Sequence, residues 1–191
     1  MKHCSSCTSM GTDCDSNVTE ALISIRPEYV RMIKRCEKSV DIRSGTVSLE
    51  AGTRLWIYST LPMGRLEAVA RVQVVVSGPP DDIWRRYRDR IGISHDEFLK
   101  YANGSGSVSA ILLREIAELK PAPSLEEIRR EIGKFSPPQR LRRIREGDPL
   151  LRFIRQRLNS FRRLQQKESL ARSQPNPSTL CPDGMLKRTV G

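Results

Sequence analysis

Aromatic residues make up only 5% of this 191-residue chain, and histidine occurs twice. No apolar run approaches the roughly 20 residues that cross a bilayer as a helix, so neither a membrane span nor a membrane partner is expected. The opening segment MKHCSSCTSMGTDCDSN lacks the continuous apolar stretch of a secretory signal, and a cytoplasmic address is the expectation. Five cysteines, an odd number at irregular spacings, give no disulfide framework, which agrees with a reducing compartment. His3, Cys4, Cys7 and Cys14 are chemically able to hold zinc. They lie in a short polar arm with no strand pair or helix of its own, so free thiols are expected, with no metal and no cofactor. His95 precedes Asp96 at a helix start, where a capping or surface role suits it better than catalysis.

What the chain has in excess is positive charge. The formal net charge is +11, and between positions 129 and 172 stand 14 Lys and Arg against four acidic residues. A block of that kind is an electrostatic footprint for phosphate, although a solvated helix face or an acidic protein partner uses the same residues.

The most informative stretch is 22–43, LISIRPEYVRMIKRCEKSVDIR. Ala21 to Ile25 is apolar and β-branched, and Pro27 sits where the first helical position tolerates a missing N–H, so a strand should end at Arg26 and a helix begin. Val30 and Ile33 fall at helical spacing, Cys36-Glu37 turns the chain, and Val40 and Ile42 then alternate with Ser39, Asp41 and Arg43. That alternation points the apolar pair to a core and the polar set to a groove. Arg26, Lys38 and Arg43 would bring three cations to one strand end beside Ser39 and Asp41, with Ser59 and Thr60 as further candidates, a cluster suited to a phosphate or a polarised carbonyl. The competing account is that Glu37 and Asp41 merely neutralise the arginines in surface ion pairs. Trp56 and Tyr58 stack a base if they face the groove, and otherwise belong to the core.

This stretch resembles the opening of the ASCH domains, members of the PUA-like barrels, whose pattern is LSI-(K/R)-P-E-Y, a later I, then G-E-K-x-x-E-x-R. Leu22, Ser24, Ile25, Arg26, Pro27, Glu28, Tyr29, Ile33, Glu37, Lys38, Asp41 and Arg43 carry it here. The likeness continues through Leu55-Trp56-Ile57-Tyr58-Ser59, Pro62-Met63-Gly64 and Ser136-Pro137-Pro138-Gln139, about residues 20–140. It implies an α+β fold, a small PUA-like β-barrel with flanking helices, and RNA or a modified nucleotide as partner, RNA before DNA. The family mixes binders, regulators and enzymes. One branch hydrolyses the amide of N4-acetylcytidine with a lysine, a threonine three residues later and a glutamate from a later segment. The lysine falls on Lys38, the catalytic residue if the chain is an enzyme, but Asp41 stands at the threonine position. Other relatives are nucleases, and some are transcriptional regulators with a helix-turn-helix, which is not legible here.

Along the chain the expected organisation is a flexible arm over 1–18, an ASCH/PUA-like domain over 19–140, a basic amphipathic helix over 141–167 and a disordered tail over 168–191. Strands are expected over 54–60, half-buried, and over 64–76, with its Val74-Val75-Val76 end buried on both faces. Pro80 opens a helix with Ile83, Trp84, Tyr87 and Ile91 inward. Ser94 with Glu97 and Ser124 with Glu127 are capping-box pairs. Asp148-Pro149 starts the last helix, where Leu150, Leu151, Ile154, Leu158, Phe161 and Leu164 form a stripe among Arg152, Arg155 and other arginines. That stripe can dock on the barrel, pair with another subunit, or lie on an anionic surface, with Arg152 and Arg155 as backbone contacts for RNA. The leading expectation is therefore an RNA-binding module. An ASCH-type enzyme and a protein-interaction adaptor are the alternatives.

Overall fold

The structure, a computed structural model, describes residues 18–159. Its elements run β1 (Glu20–Ile25), α1 (Pro27–Lys34), β2 (Val40–Ser44), β3 (Arg54–Ser59), β4 (Arg65–Gly78), α2 (Pro80–Ile91), α3 (His95–Ala102), β5 (Val108–Glu118), α4 (Leu125–Ile132) and β6 (Leu141–Ile144), with a further helix over 149–159. The six strands form one sheet in the order β2-β5-β4-β3-β1-β6, and only the β1–β3 pair is parallel among the described residues. Two units are distinguished, one ending at Phe153 and one beginning at Ile154. The arm over 1–17 and the tail beyond 159, with Phe161 and Leu164, lie outside the described residues.

The sheet curls into a half-barrel because its central strands are long and interrupted. β4 pairs with β3 along its first half and with β5 along nearly its whole length, with register shifts at Val69/Arg71 and Val72/Val74. Each inserts an extra residue and bends the ladder. The first bulge lies on β5 and holds Glu115 at φ 50.

Two apolar clusters result. Ala21, Ile23, Ile25, Leu55, Ile57 and Ala70 fill the inside of the curl, where Val30 and Ile33 of α1 close it. Ile83, Tyr87, Ile91 and Phe98 of α2 and α3 cover the other face of β2 and β5, against Val40, Ile42, Ala110 and Leu112. The alternation along β2 thus sends Val40 and Ile42 to the helices, and Asp41, paired with Ile111, to the barrel side.

Several elements differ from the sequence reading, each for a physical reason. β3 is buried on both faces, since it lies between β1 and β4 with α1 on one side. Trp56 is core: its Nε1 donates to buried Glu20 Oε2 at 2.5 Å. On β4 the double burial falls at Leu66–Ala70, whereas Gln73 and Val74 are exposed. The sheet also runs past residue 140. Leu141–Ile144 pairs antiparallel with β1, and the last helix begins only at 149, where Asp148 accepts from Leu150 N at 2.9 Å and pairs with Arg142.

Candidate functional site

A cleft of about 980 Å³ opens at the barrel mouth, where β1 ends, β2 passes, and α3, α4 and the 137–139 segment form the rim. Ser24 and Arg26 come from the end of β1, Asp41 and Arg43 from β2, Tyr29 from α1, Lys100 and Tyr101 from α3, and Arg129 from α4. Five cationic side chains (Arg26, Lys38, Arg43, Lys100, Arg129) thus face it against two carboxylates, Asp41 and Glu97. Tyr29 and Tyr101 supply aromatic surface, and Leu61 stands exposed at the edge.

Lys38 lies at the floor rather than on an open wall. Only 2% of it is exposed. Its Nζ donates to the Ile91 carbonyl at 2.5 Å, at the C-terminal end of α2, and stands 5.4 Å from the centroid of the Tyr29 ring. Both contacts favour a cation. Burial nonetheless pushes the ammonium below its ordinary value, with Asp41 opposing that shift and Arg43 adding to it. The approach of α2 depends on Gly92, at φ +71. A Cβ there would meet Met32 Cε at 2.7 Å and Lys38 Cβ at 3.3 Å.

Arg43 is held by two contacts. Its Nε donates to Asp41 Oδ2 at 2.7 Å and its Nη2 to the Ser24 carbonyl at 3.0 Å. Burial also raises the Tyr29 and Tyr58 hydroxyls above their usual value, the first with help from Glu97 and the second against Arg129. At the rim, Glu97 is kept ionised at lower pH than usual by the Ser94 backbone and hydroxyl.

Of the residues read from sequence, Arg26, Lys38, Asp41 and Arg43 converge on this cleft. Ser39 does not: the strand begins at Val40, and Ser39 Oγ accepts from Arg90 Nε at 2.9 Å, outside the lining. Thr60 and Tyr58 line the cleft, although Tyr58 is almost wholly buried and meets Phe135 edge to face at 6.5 Å. Arg152 is exposed on the 149–159 helix, and Arg155 belongs to the second unit. Sequence reading missed Lys100, Tyr101 and Arg129 as site residues, because each sits in a short helix whose pattern reports only its inward face. The 136–139 motif held the clue, since Pro137, Pro138 and Gln139 form part of the rim. Among the described residues no cluster of His, Cys, Asp and Glu could hold a metal ion, and no helix is long and apolar enough to cross a membrane.

Comparison with known proteins places this architecture. Residues 21–135 match the family described as domain of unknown function (DUF365). An ASCH domain-containing ribonuclease of Zymomonas mobilis is 29% identical over 129 residues, covering 68% of this chain and 86% of the relative. The crystal structure of ASCH from Zymomonas mobilis superposes with a TM-score of 0.65 at 28% identity, over 74% of this chain and 94% of that one. A point-mutant form of that protein gives the same TM-score at 27% identity, over 71% of this chain and 94% of the other. The curled α+β sheet, the cleft at its mouth and the family match over more than half the chain lead to one statement of kinship: this is an ASCH-domain protein of the PUA-like barrel class, within the family described as domain of unknown function (DUF365).

Proposed function

We propose that the chain binds RNA, with a nucleotide seated in the barrel-mouth cleft. The observation that carries this reading is the convergence of five cations on a single cleft beside tyrosines able to stack a base. Its similarity to a protein named a ribonuclease supports RNA over other polyanions. Arg26, Lys100 and Arg129 lie at the rim, where phosphate contacts position a strand without reading its sequence. Arg152 and Arg155 on the last helix offer further backbone contacts. Titration of single-stranded RNA at several salt concentrations tests the proposal. Affinity should fall steeply as salt rises, because each neutralised phosphate releases counterions. A flat salt dependence, or no binding at low salt, refutes it. DNA of the same sequence as competitor reports whether the 2′-hydroxyl matters.

One observation favours a second reading, RNA cleavage in the same cleft: Lys38 lies at its floor, and burial destabilises the ammonium, so that at a given pH more of it is free amine able to take a proton. Labelled RNA shortened by the wild type but not by Lys38→Ala would establish it. Intact RNA at high protein concentration leaves binding alone. Hydrolysis of N4-acetylcytidine with a threonine as partner does not fit this chain, since Asp41 occupies that place and offers no hydroxyl.

A further inference from the structure

Asp41 and Arg43 are two residues apart on β2, so both project from one face of the strand into the cleft. They are held rigidly. Arg43 uses Nε on Asp41 Oδ2 and one Nη2 hydrogen on the Ser24 carbonyl, and both side chains are largely buried. Among the described residues, Nη1, the second Nη2 hydrogen and Asp41 Oδ1 have no hydrogen-bond partner. Where the Ser24 carbonyl takes the Nη2 hydrogen on the Nε side, the end-on pair of Nη1 and Nη2 donors stays open, with a carboxylate oxygen beside it.

Charge decides what such a fork accepts. An isolated arginine would take a phosphate. Here Asp41 neutralises Arg43 at 2.7 Å, and an anion reaching the fork would meet the open carboxylate oxygen. Of the other cations, Lys38 is buried beside the pair with its Nζ on the Ile91 carbonyl, and Arg26, Lys100 and Arg129 sit elsewhere on the lining. A neutral planar edge with two adjacent acceptors keeps both hydrogen bonds and avoids the repulsion. Guanine offers that pair at O6 and N7, and cytosine at N3 and O2. Each also carries an N–H group that Asp41 can accept. Adenine alternates an acceptor with its amino group, and uracil separates its carbonyls by N3–H.

On the premise that the cleft binds RNA, we propose that Arg43, oriented by Asp41 and the Ser24 carbonyl, reads the base, selecting guanine or cytosine over adenine and uracil. Phosphates are taken by Arg26, Lys100 and Arg129. The test uses the full-length protein and uridine pentamers whose central position is guanosine, cytidine, adenosine or uridine, with affinity read by fluorescence anisotropy at low salt. The guanosine- or cytidine-centred pentamer should bind at least about tenfold more tightly than the other two, and their order tells which acceptor pair is read. Arg43→Lys, which keeps the charge and removes the fork, should bind all four alike. Equal binding of the four by the wild type overturns the base-reading pair while leaving RNA binding intact. A preference that persists in Arg43→Lys overturns the role of the fork. Absence of binding to any pentamer removes the RNA reading and this one together. The wild-type ranking needs no variant, so a poorly folding Arg43→Lys does not protect the proposal.

Discussion

At the scale of single residues, the floor of the cleft concentrates the energetic cost of the site. Lys38 is a buried cation whose folded-state ionisation is shifted down, chiefly by loss of water. Between that lowered value and the ordinary one, the unfolded chain binds a proton that the folded chain does not. Stability therefore rises with pH across this window and is flat below it. Lys38→Met removes the titrating group. The stability of the wild type relative to Lys38→Met, measured by urea unfolding, should increase as pH is raised from neutrality toward 10, and a level or falling difference would refute the assignment. Two neighbouring backbone positions carry opposite expectations. Gly92 has a left-handed φ and Lys38 Cβ stands 3.3 Å from where its methyl would sit, so Gly92→Ala should cost more than about 1 kcal/mol. Cys36 has the same kind of φ without being glycine, at the position where the ASCH pattern carries G. Relief of a left-handed L-residue, about 1–2 kcal/mol, should outweigh the entropy of an added glycine, about 0.5–1 kcal/mol. Cys36→Gly is thus expected to leave the melting temperature unchanged or to raise it, and a clear fall would show that the thiol's own contacts outweigh the strain.

At the scale of elements, the short helices that build the rim depend on their caps. Ser124 accepts from Glu127 N at 3.1 Å and Glu127 Oε2 from Ser124 N at 2.8 Å, fixing the start of α4 and with it Arg129. Ser124→Ala should cost about 1 kcal/mol of stability and weaken RNA binding if α4 frays. A change in stability alone would show that Arg129 holds its place through its own bond to the Phe135 carbonyl, at 3.0 Å. Both capping boxes were legible in sequence because their signal is local: a hydroxyl, a spacing of three, a carboxylate. The strand–helix–strand opening was legible for a related reason, since Pro27 punctuates it and Val40 and Ile42 alternate with Asp41 and Arg43. The failures are non-local. The burial of β3 on both faces depends on which strands flank it, and periodicity within six residues cannot report that. β6 was hidden by its arginines. In Leu141-Arg142-Arg143-Ile144 the apolar residues do not alternate, and the segment becomes a strand because β1 offers a free edge and because Arg142 and Arg143 find Asp148 and the Ser48 carbonyl. Lys100, Tyr101 and Arg129 share the site only because the chain folds back on itself.

At the scale of the whole molecule, the cleft and the last helix both carry positive charge, and their contributions to binding are separable by experiment. Removing everything after residue 145 would not separate them, because Leu150, Leu151 and Phe153 are buried and each is worth about 1.5–3 kcal/mol of burial. Loss of binding in such a truncation would report unfolding. Neutralising Arg152 and Arg155 to Gln keeps the apolar residues and removes two positive charges from the helix. If that helix touches the RNA backbone, the double variant should bind less tightly at low salt. The slope of log affinity against log salt should then shrink by about 0.7 for each phosphate of a single strand that is no longer neutralised. Any discrimination among bases made in the cleft should survive, since phosphate contacts carry no sequence information. A variant with unchanged affinity and slope would confine RNA binding to the barrel mouth and leave the helix to packing. One that loses base discrimination as well would mean that the helix and the cleft do not act independently.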